Sequence, residues 1–164
     1  MLKFEPIQKH HQRDVFDCGE PALNEFLKKF ARQNDENNVA KTFVAVDTDK
    51  NVLGYYSVSA ASIEFTDLPG DISERLPRYP IPAARIGRLA VDQSVQGSGI
   101  GSRLLIDALK RIYLSSDQVA IKVVLVDALN EKAQSFYEHF GFIRLSGEQF
   151  KLFLPIETVS VLFR

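Results

Sequence analysis

The chain has 164 residues, 45% of them hydrophobic, with 20 basic and 21 acidic side chains and a net charge of −1. That length suits one domain with a real core, and the near-neutral balance means that any hold on nucleic acid must come from a local basic patch. The longest hydrophobic runs are four residues, as at Phe43–Val46 and Val123–Val126, far short of the roughly 20 a membrane-spanning helix needs.

The first residues, MLKFEPIQKHHQRD, have no apolar stretch of the secretory kind. A lone cysteine, Cys18, excludes an internal disulfide. The expected location is the cytoplasm, away from membranes.

In chain order, residues 17–32 read as a helix opening at Pro21, since proline suits the first helical position. Leu23, Phe26, Leu27 and Phe30 form its apolar stripe, with Lys28, Lys29 and Arg32 off it. Thr42–Val46 and Val52–Ala60 are β-rich runs joined by a polar loop, which predicts a hairpin. Residues 66–82 hold four prolines and read as a loop with a short helix around Ile72–Leu76.

Arg85–Val91 reads as a strand and Gly99–Leu114 as a helix, with Ile100, Leu104, Leu105, Ala108, Leu109 and Ile112 on one face. Lys122–Asp127 is almost wholly apolar, as a central strand covered on both sides would be. Glu131–Phe140 reads as a helix stopped by Gly141. Phe142–Leu145, Phe150–Leu154 and Thr158–Phe163 read as short closing strands. Strand–helix alternation with meander strands at both ends predicts an α/β (α+β) domain with a mixed sheet and helices on its faces.

The richest signal is Gln96-Gly97-Ser98-Gly99-Ile100-Gly101-Ser102-Arg103, between the strand ending at Val91 and the following helix. A glycine turn that opens a helix offers main-chain N–H groups and the positive end of the helix dipole to phosphate. A P-loop would require a Gly-Lys pair, which the chain lacks. A dinucleotide fingerprint would require glycine or alanine at Ser102.

Gln96, Gly99 and Gly101 instead match position for position the [RQ]-x-x-G-x-[GA] loop of the Gcn5-related N-acetyltransferase (GNAT) superfamily, after a similar strand end at Leu89-Ala90-Val91-Asp92. Downstream, Asn130, Ala133, Phe136, Tyr137, Glu138, Gly141 and Phe142 resemble that family's N-x-x-A-x-x-[FL]-Y-[EK]-x-x-G-F segment. The resemblance implies a GNAT fold over 1–164: a twisted, mixed, mostly antiparallel sheet with helices on both faces and a central splay. It implies acetyl-CoA as cosubstrate and no metal. The diphosphate would rest on the N–H groups of Gly97, Ser98, Gly99, Ile100, Gly101 and Ser102. The pantetheine arm would pair with Leu89, Ala90 and Val91, and Asn130 and Ala133 would touch its far side.

Attack of an amine on a thioester builds an oxyanion, and a fixed N–H near Val91 could stabilise it by roughly 3–4 kcal/mol. At the family's tyrosine position, Tyr137 is expected to donate to the departing thiolate, because a phenol stays protonated at neutral pH. Phe136 and Phe140 read as core, and His139 as a surface residue. No carboxylate lies on Arg85–Val91, so Glu64 and Asp92 remain as candidate bases that no spacing singles out. Without a base, an α-amine (pKa about 7.8) is a better acceptor than a lysine (pKa about 10.4).

From Arg75 to Arg103 there are five arginines and one acid, a local balance of +4. Arg78, Arg85 and Arg88, with Lys28, Lys29 and Arg32 of the N-terminal helix, are the candidate groups for a polyphosphate acceptor, since arginine pairs bidentately with phosphate. Phe16-Asp17-Cys18-Gly19, Leu23-Asn24-Glu25-Phe26-Leu27, Tyr55/Tyr56, Ile86–Asp92 and Leu152-Phe153-Leu154-Pro155 resemble the GNAT-fold toxins of bacterial toxin–antitoxin modules. That resemblance implies acetylation of the α-amine of aminoacyl-tRNA, a ribbon–helix–helix antitoxin and a homodimer. Overall charge departs from it, since such toxins are often basic. Acetylation of a small amine or a protein N-terminus, or a non-catalytic CoA-binding module, are the alternatives at this level.

Overall fold

A computed structural model describes residues 2–164. Seven strands form one mixed sheet in the order β1-β2-β3-β4-β5-β7-β6, with helices in the connections. The strands are β1 (Lys3–Pro6), β2 (Lys41–Val46), β3 (Val52–Ile63), β4 (Ile81–Val91), β5 (Val123–Asp127), β6 (Ile143–Arg144) and β7 (Lys151–Pro155). The main helices are α1 (Pro21–Glu25), α2 (Ala31–Glu36), α3 (Gly70–Ser73), α4 (Ile100–Ser115), α5 (Glu131–His139) and α6 (Ile156–Leu162). By contacts the chain divides into two compact units: residues up to Ser59 with Gly87–Ala108, and Ala60–Ile86 with Leu109–Arg164.

In the first unit β2 pairs antiparallel with both β1 and β3, and the expected hairpin turns at Asp47–Asn51. Asp47 organises that turn by accepting from the N–H groups of Asp49 and Asn51. The edge strand β1 was not legible in four mixed residues; the ladder to Phe43–Val46 creates it. Phe16, Leu27, Val44, Val46 and Tyr55 form the core here. The Tyr55 hydroxyl donates to the Leu23 carbonyl at 2.7 Å and so anchors the N-terminal helix.

That helix departs from the expected stripe. Residues Phe26–Phe30 form a π-helical turn between α1 and α2, in which the Ala31 N–H reaches the Phe26 carbonyl. The extra residue per turn rotates the following side chains, so Ala31 is buried and Phe30 is 44% exposed.

In the second unit β5 lies between β4, to which it is parallel, and β7, to which it is antiparallel. Val123–Val126 are all buried, as a doubly covered strand requires. The β4–β5 ladder runs from Ala83↔Val123 to Ile86↔Val126, although β4 itself continues to Val91. Gly141 takes φ +97 just after α5, the left-handed stop expected of it.

One expected strand is a helix. Thr158–Phe163 lies in and just beyond α6, which Pro155 opens and whose first turn carries Glu157, ion-paired with Lys122. Val159 is buried, and Phe163, four residues on, stacks on Tyr113 with ring centroids 5.9 Å apart. A period of four therefore governs this β-branched stretch: tertiary packing overrides its strand propensity.

Candidate functional site

The turn Gln96–Gly99 ends where α4 begins at Ile100. Gly97 and Gly99 take φ +83 and +90, conformations that a side chain rarely adopts. A Cβ at either position would meet nothing within 4 Å, so their role is backbone shape, and the space in front of them is open. The first N–H groups of α4 have no helical carbonyl to pair with. Exposed, glycine-lined and at the positive end of a 16-residue helix, this cradle fits a diphosphate.

Two expected contacts are modified by the geometry. The Ser98 N–H donates to Val95 O at 3.3 Å, inside the turn. The Gln96 amide donates to Val91 O at 2.9 Å and to Cys18 O at 3.1 Å, so its Nε2 ties the loop to the strand end. Leu89, Ala90 and Val91 lie on β4, with Ala90 buried and its neighbours half-buried.

Asp92 is no general base. Its carboxylate accepts from the Asp17 N–H at 2.8 Å, the Ser94 N–H at 3.0 Å and the Ser94 hydroxyl at 2.5 Å. Burial pushes that carboxyl up, but the hydrogen bonds from Ser94 and Asp17 outweigh it, and the net shift is downward. Glu64 and His139 are both exposed.

In the second unit Asn130 caps α5, its Oδ1 accepting from the Ala133 N–H at 3.0 Å. That bond uses the side chain expected at the cofactor arm. Tyr137, one helical turn past the half-buried Ala133, is only 4% exposed and packs edge-on against Phe136 and Phe142. Burial, and after it the charge of Asp127, raises the phenol above its ordinary range. The group is therefore a proton-bearing donor throughout the working pH range. Phe136 and Phe140 are half-buried rather than core, because their side of α5 is only partly covered.

The candidate acceptor residues do not form a uniform free patch. Within the first unit, Lys28 and Lys29 stand exposed on the π-helical turn, and Arg32 lies 3.5 Å from Glu36. The Arg88 guanidinium stacks over the Phe26 ring, 3.7 Å from its centroid. In the second unit, Arg78 lies 5.5 Å from the Phe65 ring centroid, and Arg85 pairs with Asp127 at 3.7 Å. Not legible in the sequence were Phe26 as the platform for Arg88, Asp17 and Cys18 as hydrogen-bond partners of the loop, and Asn24 as the brace of Asp17. An Asp-x-Gly turn signal at Asp17–Gly19 was available for the turn itself.

Comparison with known proteins agrees with this geometry. A family model described as an acetyltransferase (GNAT) domain matches residues 38–144. The chain is 38% identical to a "tRNA-acetylating toxin" of Mycobacterium tuberculosis, over 77% of this chain and 75% of that one. It superposes on AtaT complexed with acetyl-methionyl-tRNAfMet with a TM-score of 0.93 at 34% identity, covering 100% of both chains. A tyrosine-to-phenylalanine mutant of AtaT, bound to acetyl-CoA and to the C-terminus of the antitoxin AtaR, superposes with a TM-score of 0.85 at 33% identity, covering 99% of this chain and 98% of that one. The family model spans the glycine turn and α5, and the chain belongs to that family: it is a GNAT acetyltransferase.

Proposed function

We propose that this protein transfers the acetyl group of acetyl-CoA to the α-amine of aminoacyl-tRNA and so blocks translation. The observation that carries the reading is the end-to-end match to a toxin solved with an acetylated, charged tRNA. The open glycine cradle before α4 supports it from this chain's own residues.

In this reading the main-chain amides at the start of α4 hold the diphosphate of the donor, and Leu89–Val91 line its pantetheine arm. The neutral amine attacks the thioester carbonyl; a C–N bond forms and the C–S bond breaks. Tyr137 gives its proton to the departing sulfur and takes back the one that leaves the nitrogen, so phenol is regenerated and free CoA released. No carboxylate base is required, because an α-amine is substantially neutral near pH 7.5. Lys28, Lys29, Arg32, Arg78, Arg85 and Arg88 serve the phosphates of the acceptor.

The chain works as one GNAT domain, forms a homodimer in the cytoplasm and is neutralised by a ribbon–helix–helix antitoxin. One of these features has a direct counterpart among the relatives: the C-terminus of the antitoxin AtaR is bound to AtaT, together with acetyl-CoA. The deciding experiment offers labelled acetyl-CoA and a pool of charged tRNAs, with mass spectrometry of the released aminoacyl adenosines. Acetylated aminoacyl adenosine is the expected product. Ready use of free amines with charged tRNA left untouched would overturn the reading.

A further inference from the structure

The glycines that open the donor loop leave its shape to be set from outside. A Cβ at Gly97 or Gly99 would meet nothing within 4 Å, so no packing holds the loop there, and a glycine-rich segment loses more backbone freedom on ordering than any other. Yet the turn from Asp92 to Gln96 is tied by three hydrogen bonds to a segment some 75 positions earlier in the chain. The Asp17 N–H donates to Asp92 Oδ1 at 2.8 Å, the Gln93 N–H donates to Asp17 O at 2.8 Å, and Gln96 Nε2 donates to Cys18 O at 3.1 Å.

That earlier segment is itself locked. Asp17 Oδ1 accepts from the Gly19 N–H at 2.9 Å and from Asn24 Nδ2 at 2.9 Å, while Asn24 Oδ1 accepts from the Cys18 N–H at 2.9 Å. Asn24 thus spends both ends of its amide on one turn. Next to it in α1, the Leu23 carbonyl is held by the fully buried Tyr55. The two segments also touch closely: Gly19 takes φ +92, and a Cβ there would come within 2.7 Å of Gln93 Nε2.

We propose that the Asp17–Gly19 turn, braced by Asn24, is a latch that fixes the donor loop in its diphosphate-binding shape, which makes Asp17 and Asn24 positioning residues for acetyl transfer. The inference rests on the acetyl-CoA reading above and adds to it where the affinity for the donor originates. Ordering the loop in the free protein removes that entropic cost from binding. Asp17 and Gly19 are exposed, so the latch contributes to loop geometry far more than to the core.

The test uses the full chain and CoA itself in calorimetry, with steady-state kinetics on charged tRNA and thermal melts alongside. Asn24→Ala and Gly19→Ala are expected to weaken CoA binding and raise the KM for acetyl-CoA about tenfold each, with kcat at saturating donor unchanged. Asn24→Asp, which sets a second carboxylate against Asp17, is expected to weaken it further at neutral pH. Folded variants that bind CoA as tightly as the parent chain, or that lose kcat with unchanged affinity, would overturn the latch alone. A parent chain that binds no CoA would overturn the acetyl-transfer reading first and the latch with it.

Discussion

The guanidinium of Arg88, on β4, lies 3.7 Å from the ring centroid of Phe26, which the π-helical turn presents to it. Phe26 in turn stacks on Tyr55 at 6.1 Å, so the arginine rests on an aromatic platform rooted in the core. A stacked guanidinium keeps its edge N–H groups free for phosphate, which an ammonium on a flexible stem does not reproduce. Arg88→Ala is expected to weaken the binding of charged tRNA and to reduce the slope of log affinity against log salt by about one. Phe26→Leu is expected to weaken binding while preserving that slope, because it loosens the platform and leaves the charge. Filter binding across a salt series measures both.

Tyr137→Phe retains the ring that packs against Phe136 and Phe142 and deletes only the hydroxyl. We expect unchanged CoA affinity and melting temperature, with kcat reduced by roughly 10²-fold or more. Because burial and Asp127 hold the phenol above its ordinary range, the parent enzyme should gain no descending limb near pH 10. Its kcat/KM should rise as the acceptor α-amine loses its proton near pH 8 and then level off. A pH–rate profile and calorimetry on the variant check the two halves of this expectation.

Glu5 supplies a pH dependence of stability. The Gln8 N–H donates to His11 Nδ1 at 2.9 Å, which leaves Nε2 to donate to Glu5 Oε1 at 2.9 Å. The hydrogen bond from His11 first, and that from Lys50 next, lower the Glu5 carboxyl to about 2. A depressed carboxyl contributes stability that is fully present above its unfolded value, about 4.5, and lost as pH falls toward 2. Glu5→Gln should therefore melt below the parent chain at pH 7, with the gap closing between pH 4.5 and 2. Thermal melts over that range measure it.

Gly54 in β3 is a packing position. A Cβ there would stand 2.8 Å from Leu104 Cδ1, 3.0 Å from the Ala90 carbonyl and 3.5 Å from Ile100 Cγ2. The leucine tip can yield, but the carbonyl belongs to β4, the strand proposed to line the donor's arm, and cannot yield without moving it. Gly54→Ala is expected to destabilise the fold by about 1–3 kcal/mol and to raise the KM for acetyl-CoA. A melt combined with donor kinetics distinguishes this from a surface effect.

Features carried by short-range patterns were legible in the sequence. The glycine turn, the apolar face of α4 and the Gly141 stop depend on backbone freedom and a 3.6-residue period, which neighbouring residues dictate by themselves. Likewise the all-apolar stretch Val123–Val126 reads as a covered strand, and it is one. Through family resemblance, these local signals also carried the class of chemistry.

What the sequence left open was whatever a distant partner decides. Lys3–Pro6 becomes a strand only because β2 offers it a ladder, and Thr158–Phe163 becomes helical as Val159 is buried and Phe163, four residues on, stacks on Tyr113. Asp92 is one of two candidate bases in the sequence, and only the fold brings Asp17 to its carboxylate beside the local bond from Ser94. Local free energies along a chain set periodicity and turns. The use of each polar group is set by hydrogen bonds between residues far apart in sequence, and these exist only once the chain has closed on itself.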